Sequence, residues 1–206
     1  MDYELSVLKE GFRYVIGIDE AGRGPLAGPV VAAAVIIHDG NFKSLIRDSK
    51  KMTLARRETA FCEILDKASV GIGVVCEAVI DQVNILNATF IAMNRAVDHL
   101  LVDQRFRECP ETEFCILVDG NRFINEGNMS HRTIVRGDDS VLSIQCASIV
   151  AKVTRDRILK MYDQIFPQYG FQSHKGYPTA RHREAIEENG LSPIHRRSFT
   201  FNRSAK

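Results

Sequence analysis

The sequence predicts an α/β fold in which a mixed five-stranded sheet is flanked by helices. Three features point there. Apolar, β-branched runs of strand length are separated by turn residues early in the chain, helical and strand-like patterns then alternate, and acidic residues fall where strands stop. A chain of 206 residues, 45% hydrophobic and 26% charged, fits one domain with a real core.

Residues 14–18 read as a short buried strand that ends in Asp19, Glu20 and the glycine-rich turn beginning Gly22-Arg23-Gly24. Residues 29–37 form a second strand, and His38-Asp39-Gly40-Asn41 favours a hairpin-like return. Thr53 suits the N-cap of a helix whose Leu54, Phe61, Ile64 and Leu65 share a face. A third strand spans 70–76. A longer helix follows from about Asn84, with Leu86, Phe90, Met93, Val97, Leu100 and Leu101 at helical spacing. Residues 103–113 make an exposed connection to a fourth strand, 114–118, which runs into Asp119-Gly120-Asn121. A fifth strand, 132–135, precedes Gly137-Asp138-Asp139. A helix over 143–166, with Ala147, Val150, Ala151, Thr154, Ile158, Met161 and Ile165 as its apolar side, stops at Pro167. A last helix runs from Thr179 to Gly190.

Several function classes drop out. No apolar run approaches the roughly 18 residues of a membrane span. The acidic N-terminus lacks the pattern of a secretory signal, so a cytoplasmic location and no membrane partner are expected. Five scattered cysteines without a C-x-x-C pair argue against disulfides and zinc, and are expected to pack mostly as small hydrophobes. The formal net charge of +1 does not announce a nucleic-acid binder, but residues 152–203 are rich in Lys, Arg and His. That stretch could hold a phosphate backbone or be a solvated face.

The chemistry gathers at the strand ends. Neighbouring side chains on a strand point to opposite faces, so Asp19 and Glu20 reach one site only if the strand stops at them. Four carboxylates converging from Asp19, Glu20, Asp119 and Asp138 would repel strongly, which makes bound divalent metal the natural resolution. Oxygen-only ligands suit Mg²⁺ or Mn²⁺. The glycines read G-x-G-x-x-x-G, one residue too long for a dinucleotide fingerprint, and a strand follows where that fingerprint needs a helix. A turn without β-carbons at Gly22 and Gly24 lets backbone groups approach a sugar hydroxyl or phosphate.

Eight stretches together resemble the ribonuclease HII family: GIDEAGRGPLAGPV (17–30), DSKK (48–51), NILNAT (84–89), VDGN (118–121), RGD (136–138), ASIVAKVTRD (147–156), FPQYGFQSHKGYPT (166–179) and HRRSF (195–199). The resemblance implies an RNase H-like fold, a single catalytic domain with a core of about 12–166 and a C-terminal, substrate-binding helical extension of about 167–206. It also implies cleavage of RNA in RNA–DNA hybrids and at single ribonucleotides in duplex DNA, hence ribonucleotide and primer removal in repair and replication. The family's metal-binding, catalytic carboxylates map onto Asp19, Glu20, Asp119 and Asp138. Its ribonucleotide-sensing turn maps onto Gly22, Arg23 and Gly24, and its deoxyribose-packing tyrosine onto Tyr177. Lys50, Ser148 and Lys152 are candidate phosphate contacts, with Arg181 and Arg196 as weaker ones. Two departures stand out: Asp139 follows Asp138 and could compete with it, and Gln145-Cys146 replaces a small pair, which should alter packing under the site.

The reaction expected is hydrolysis on the 5′ side of a ribonucleotide, leaving 3′-hydroxyl and 5′-phosphate ends, with two ions about 4 Å apart. Asp156 is read as a structural ion-pair residue rather than a fifth ligand, and His195 as structural or phosphate-binding rather than a base. A ribonuclease HIII-like enzyme and a silent nucleic-acid-binding module on the same fold are the alternatives. A monomer is the default expectation, and contact of the C-terminal tail with a replication clamp stays open.

Overall fold

Five strands form one sheet in the order β3-β2-β1-β4-β5 in a computed structural model that describes residues 2–199. They are β1 (Tyr14–Ala21), β2 (Val30–Ile37), β3 (Ala68–Val75), β4 (Phe114–Asp119) and β5 (Ser130–Ile134). The helices are α1 (Asp2–Lys9), α2 (Leu54–Lys67), α3 (Glu77–Leu101), α4 (Gly137–Ser140), α5 (Leu142–Ile165), α6 (Phe171–His174) and α7 (Ala180–Asn189). β1 pairs antiparallel with β2 and parallel with β4, β2 pairs antiparallel with β3, and β4 pairs parallel with β5. The mixed sheet expected from the sequence is therefore present.

Both faces of the sheet are covered, which is why β1, β2 and β4 are almost continuously apolar. Ile16, Ile18, Ala32 and Ala34 face Phe90, Met93, Val97 and Leu100 of α3. On the other face Ala33 and Val35 meet Phe61 and Ile64 of α2 and Ala147 and Val150 of α5, with the buried Cys146 among them. Period-two alternation places Asp19 on the α5 face with Val15 and Gly17, and Glu20 on the α3 face with Ile16 and Ile18. Along β4 the same alternation puts Cys115, Leu117 and Asp119 on the α5 face. Gly17 lets α5 start close to the strand, because a Cβ there would overlap the backbone of Ser143.

Several expectations need correction. β1 does not stop before the acidic pair; it runs through Asp19 and Glu20 to Ala21, held by pairing with Val31 to Ala33. His38–Asn41 does turn, with Asn41 N–H donating to Asp39 Oδ1, but no hairpin follows. The chain instead makes an excursion through α2 before β3 returns alongside β2. Thr53 caps α2 as expected by accepting from Arg56 N–H, yet Leu54 and Leu65 are exposed and the buried face is Ala60, Phe61 and Ile64. α3 starts earlier than expected and breaks at Asn84 (φ 68°), whose Oδ1 accepts from Leu86 and Asn87 N–H and recaps the helix. Past Val153, α5 buries Arg155, Asp156 and Leu159 while Met161 and Ile165 are exposed. Among the cysteines, Cys115 and Cys146 are buried, Cys109 is half-buried, and Cys62 and Cys76 are exposed.

The chain after α5 packs against the loop that leaves β1. Leu26 and Ala27 join Leu159, Tyr169, Phe171, Ala185, Ile186 and Ile194 in a separate apolar cluster. Residues 200–206, on which a clamp contact of the tail would fall, lie outside the described residues. Among the described residues, no helix is long and apolar enough to cross a membrane.

Candidate active site

β1 and β4 are parallel neighbours whose last register pair is Ile18 with Val118, so Asp19 and Asp119 follow side by side at the strand ends. Asp138 comes in from α4. The Oδ1 of Asp119 accepts from Gly137 N–H at 2.7 Å and from Asp138 N–H at 3.4 Å, so one carboxylate fixes the turn that carries the next. Carboxylate oxygens of Asp19, Asp119 and Asp138 lie within 4.8 Å of one another. Glu20 stands outside this trio because it leaves the opposite face of β1; its Oε1 meets Arg23 Nη1 at 3.2 Å. It still lines the same cavity of about 260 Å³, together with Asp19, Asp119, Lys50, Ser148, Lys152 and Tyr177. Asp139 turns away from the cluster into an ion pair with Lys51.

Burial, then the charges of Glu20 and Asp119, raises the Asp19 carboxyl well above the ordinary carboxylate range. Burial also raises Glu20, and burial followed by the charge of Asp138 raises Asp119. Protein cations near this anionic corner are few: Lys50 Nζ meets Asp138 Oδ2 at 3.2 Å, and Arg23 holds Glu20. Three crowded, oxygen-only donors, with Asp19 and Asp119 raised in proton affinity, are what a hard divalent cation would satisfy. The donor set fits Mg²⁺ or Mn²⁺ and offers zinc no nitrogen or sulfur.

The glycine turn beside the carboxylates rests on two buried arginines. Arg196 donates to the carbonyl oxygens of Gly22, Arg23, Pro25 and Gly28. Arg155, 1% exposed, donates to Ala27 and Pro29 from the same loop and to Lys175 from the loop that carries Tyr177. Burial pushes Arg155 down to about 10 and Arg196 down to about 9, which leaves both charged at neutral pH. Gly22 sits at φ 101°, and a Cβ there would overlap Nε and Cδ of Arg155. Among the described residues, no protein acceptor meets the amides of Arg23 and Gly24.

The remaining sequence-based candidates divide. Ser148 Oγ meets Ser49 Oγ at 2.9 Å beside Asp19, and Lys152 lines the cavity while donating to Asp156 at 2.7 Å. Asp156 thus makes an ion pair. Tyr177 is 43% exposed at the cavity rim, and its Cε1 would lie 3.6 Å from a Cβ placed on Gly24. Arg196 is no exposed phosphate ligand; its guanidinium is spent on carbonyls inside the protein. Arg181 lies near Gly170, lining a different cavity. His195 is buried and bonded to Ser192 and His182.

Sequence reasoning missed the role of Arg155. A signal existed: residues 151, 155 and 159 share one helical face, and Ala151 and Leu159 are fully buried, so the period pointed Arg155 inward.

Known proteins match this arrangement over nearly the whole chain. The sequence model of the family described as Ribonuclease HII matches residues 16–202. A ribonuclease HII of Ruminiclostridium cellulolyticum is 50% identical over 203 residues, covering 98% of this chain and 76% of its own. The solved ribonuclease H2 of Pyrococcus horikoshii OT3 superimposes with a TM-score of 0.70 at 27% identity, over 90% of this chain and 93% of that one. A structure described as the PCNA:RNase HII complex from Archaeoglobus fulgidus gives 0.69 at 24% identity, over 93% and 98%, and at that identity supports the fold alone.

Two outcomes are expected from this geometry. Gly22→Ala should cost about 3 kcal/mol in urea unfolding, whereas Gly24→Ala should stay within about 1 kcal/mol. The second concerns Asp119, whose folded-state pKa is raised. It subtracts nothing from stability below the unfolded pKa and subtracts increasingly as pH rises through the folded pKa. Asp119→Asn should therefore unfold at a higher temperature than the parent at pH 7 without divalent metal. It should also lose most of the upward shift that added Mn²⁺ gives the parent.

Proposed function

Because the chain belongs to the ribonuclease HII family, whose members are divalent-metal-dependent ribonuclease H endonucleases, we propose that it cuts on the 5′ side of ribonucleotides. Its substrates are both RNA–DNA hybrids and single ribonucleotides embedded in duplex DNA, and the products are 3′-hydroxyl and 5′-phosphate ends. The observation that carries this reading is the meeting of a carboxylate cluster, an arginine-held glycine turn and an exposed tyrosine around one cavity.

Asp19, Asp119 and Asp138 would hold the divalent metal, with Glu20 reaching in from the opposite face of β1. When bound, two ions would supply Lewis-acid stabilisation of the charge building on the phosphate and would activate the attacking water. The protein's own groups do the rest. Asp119, pinned by the amides of α4, fixes the spacing between its own carboxylate and that of Asp138. Lys50, Ser148 and Lys152 contact the phosphate, Lys152 by giving up part of its pairing with Asp156. Rigid placement of such groups is the main contribution a protein makes to phosphoryl transfer.

Ribose is told from deoxyribose by its 2′-hydroxyl. The amides of Arg23 and Gly24 donate to that oxygen, on a turn that Arg196 holds from beneath. Tyr177 stacks on the following sugar and favours one without the hydroxyl. This activity would serve ribonucleotide and primer removal.

A duplex DNA carrying one ribonucleotide should be nicked 5′ of it in Mg²⁺ or Mn²⁺; no cleavage of that substrate, with hybrids still cut, would sink the HII-type specificity. Asp119→Asn should lower cleavage of both substrates by about a hundredfold or more. Binding of the uncut hybrid, measured by fluorescence anisotropy, should survive in that variant.

A further inference from the structure

Tyr177 stands on a backbone that would not hold its shape unaided. Lys175 (φ 53°) and Gly176 (φ 80°) are consecutive left-handed residues, and the lysine in that pair is strained by its Cβ. The polar groups of this loop are tied down. Leu26 N–H donates to Gly176 O, Arg155 donates to Lys175 O, and Tyr177 N–H donates to His174 O. Gly176 also approaches the backbone of Ala27 so closely that a Cβ would overlap it. Tyr177 O accepts twice, from Thr179 N–H and from His182 Nδ1.

His182 is fully buried and belongs to a chain of hydrogen bonds whose direction is fixed by the backbone. Ser192 N–H points at His195 Nδ1 (2.9 Å), so that nitrogen is an acceptor. The neutral His195 ring then carries its proton on Nε2 and donates it to His182 Nε2, 3.0 Å away. His182 in turn carries its proton on Nδ1 and donates it to Tyr177 O, 2.9 Å away. His174 stacks on His182 with centroids 4.2 Å apart, accepts from Gly176 N–H on Nδ1 and donates from Nε2 to Tyr169 O. Each ring has one tautomer that satisfies all its neighbours, and a proton added to His182 Nε2 would set its N–H against that of His195.

We propose that His182, oriented by His195, is a positioning residue that sets ribonucleotide discrimination by fixing the loop from which Tyr177 reaches the substrate. The inference rests on the role of Tyr177 proposed above. Burial supports it: His182 and His195 are both pushed down to about 4, so the neutral rings that the relay requires persist at neutral pH.

Two measurements test it. Imidazole ¹⁵N spectra of the unmodified protein at pH 7 should show His182 protonated at Nδ1 and His174 and His195 at Nε2; any other assignment overturns the relay. The second compares kcat/KM on DNA with a single ribonucleotide against kcat/KM on a long hybrid. His182→Gln, whose amide stands near Nε2, should lower that ratio about tenfold. His182→Asn, whose amide stands near Nδ1, should bring it back to within about threefold of the parent. In a Tyr177→Ala background His182→Gln should change the ratio no further. Equal losses in the Gln and Asn variants, or a further fall in the Tyr177→Ala background, would overturn the proposal. If Tyr177→Ala itself leaves the ratio unchanged, the reading of Tyr177 fails and the relay with it. If Tyr177→Ala lowers the ratio and His182→Gln does not, the relay alone fails.

Discussion

Three carboxylates sharing a corner with little water repel one another, and much of the molecule is arranged to keep them there. Desolvation raises the proton affinity of Asp19 and Asp119, so without a cation the corner works against folding. The sheet tolerates it because the strands that deliver Asp19 and Asp119 are interior, parallel neighbours, paired on their outer sides by β2 and β5. Asp138 is brought in last, on a short turn whose amides are bound by Asp119 itself. A destabilised centre held by a well-packed surround is a common cost of pre-organisation.

Beside the same strand end the charge is reversed. Arg155 and Arg196 are buried with carbonyl oxygens as partners, and the buried Glu77 supplies opposing charge near them. Guanidinium groups suit this task because five N–H donors lie in a fixed plane, whereas one ammonium could not span carbonyls of two loops. Arg155 joins the glycine turn to the loop of Tyr177, so the two elements assigned to ribose recognition form one mechanical unit. A negative corner and a positively backed turn, the metal and sugar sites of the proposed reaction, thus sit next to each other along β1.

The order of elements and the sheet were legible in the sequence because they follow from period-two and period-3.6 patterns over long runs. What escaped it had physical reasons. Turn chemistry at His38–Asn41 is local and says nothing of which strand the chain will pair with after α2. α1 is only eight residues long and buries Val7 while leaving Tyr3, Leu5 and Leu8 exposed, so its apolar residues were too few and too scattered to mark a helix. The strand that holds Asp19 and Glu20 continues past them because β2 has partners to offer, and that separates Glu20 from the trio. The glycines of the turn were visible, but their partner Arg155 looked like an ordinary helix charge until its place between two buried apolar positions was considered.

Helix α5 concentrates more duties than any other element. Ser148, Lys152, Arg155 and Leu159 recur along one face, and they meet in turn the Asp19 corner, the cavity, the glycine turn and the packing beneath Gly28. A one-residue insertion within this stretch would rotate everything after it by about 100° and misdirect all the later contacts together. Length variation among homologues should therefore be confined to places such as the connection 103–113, where chain can be added without turning a helix. That connection is largely exposed around the buried Phe106, and not the wholly exposed stretch expected from the sequence. The reading frame of one helix links the carboxylate corner and the glycine turn, so during divergence the two can be tuned side chain by side chain but not shifted independently.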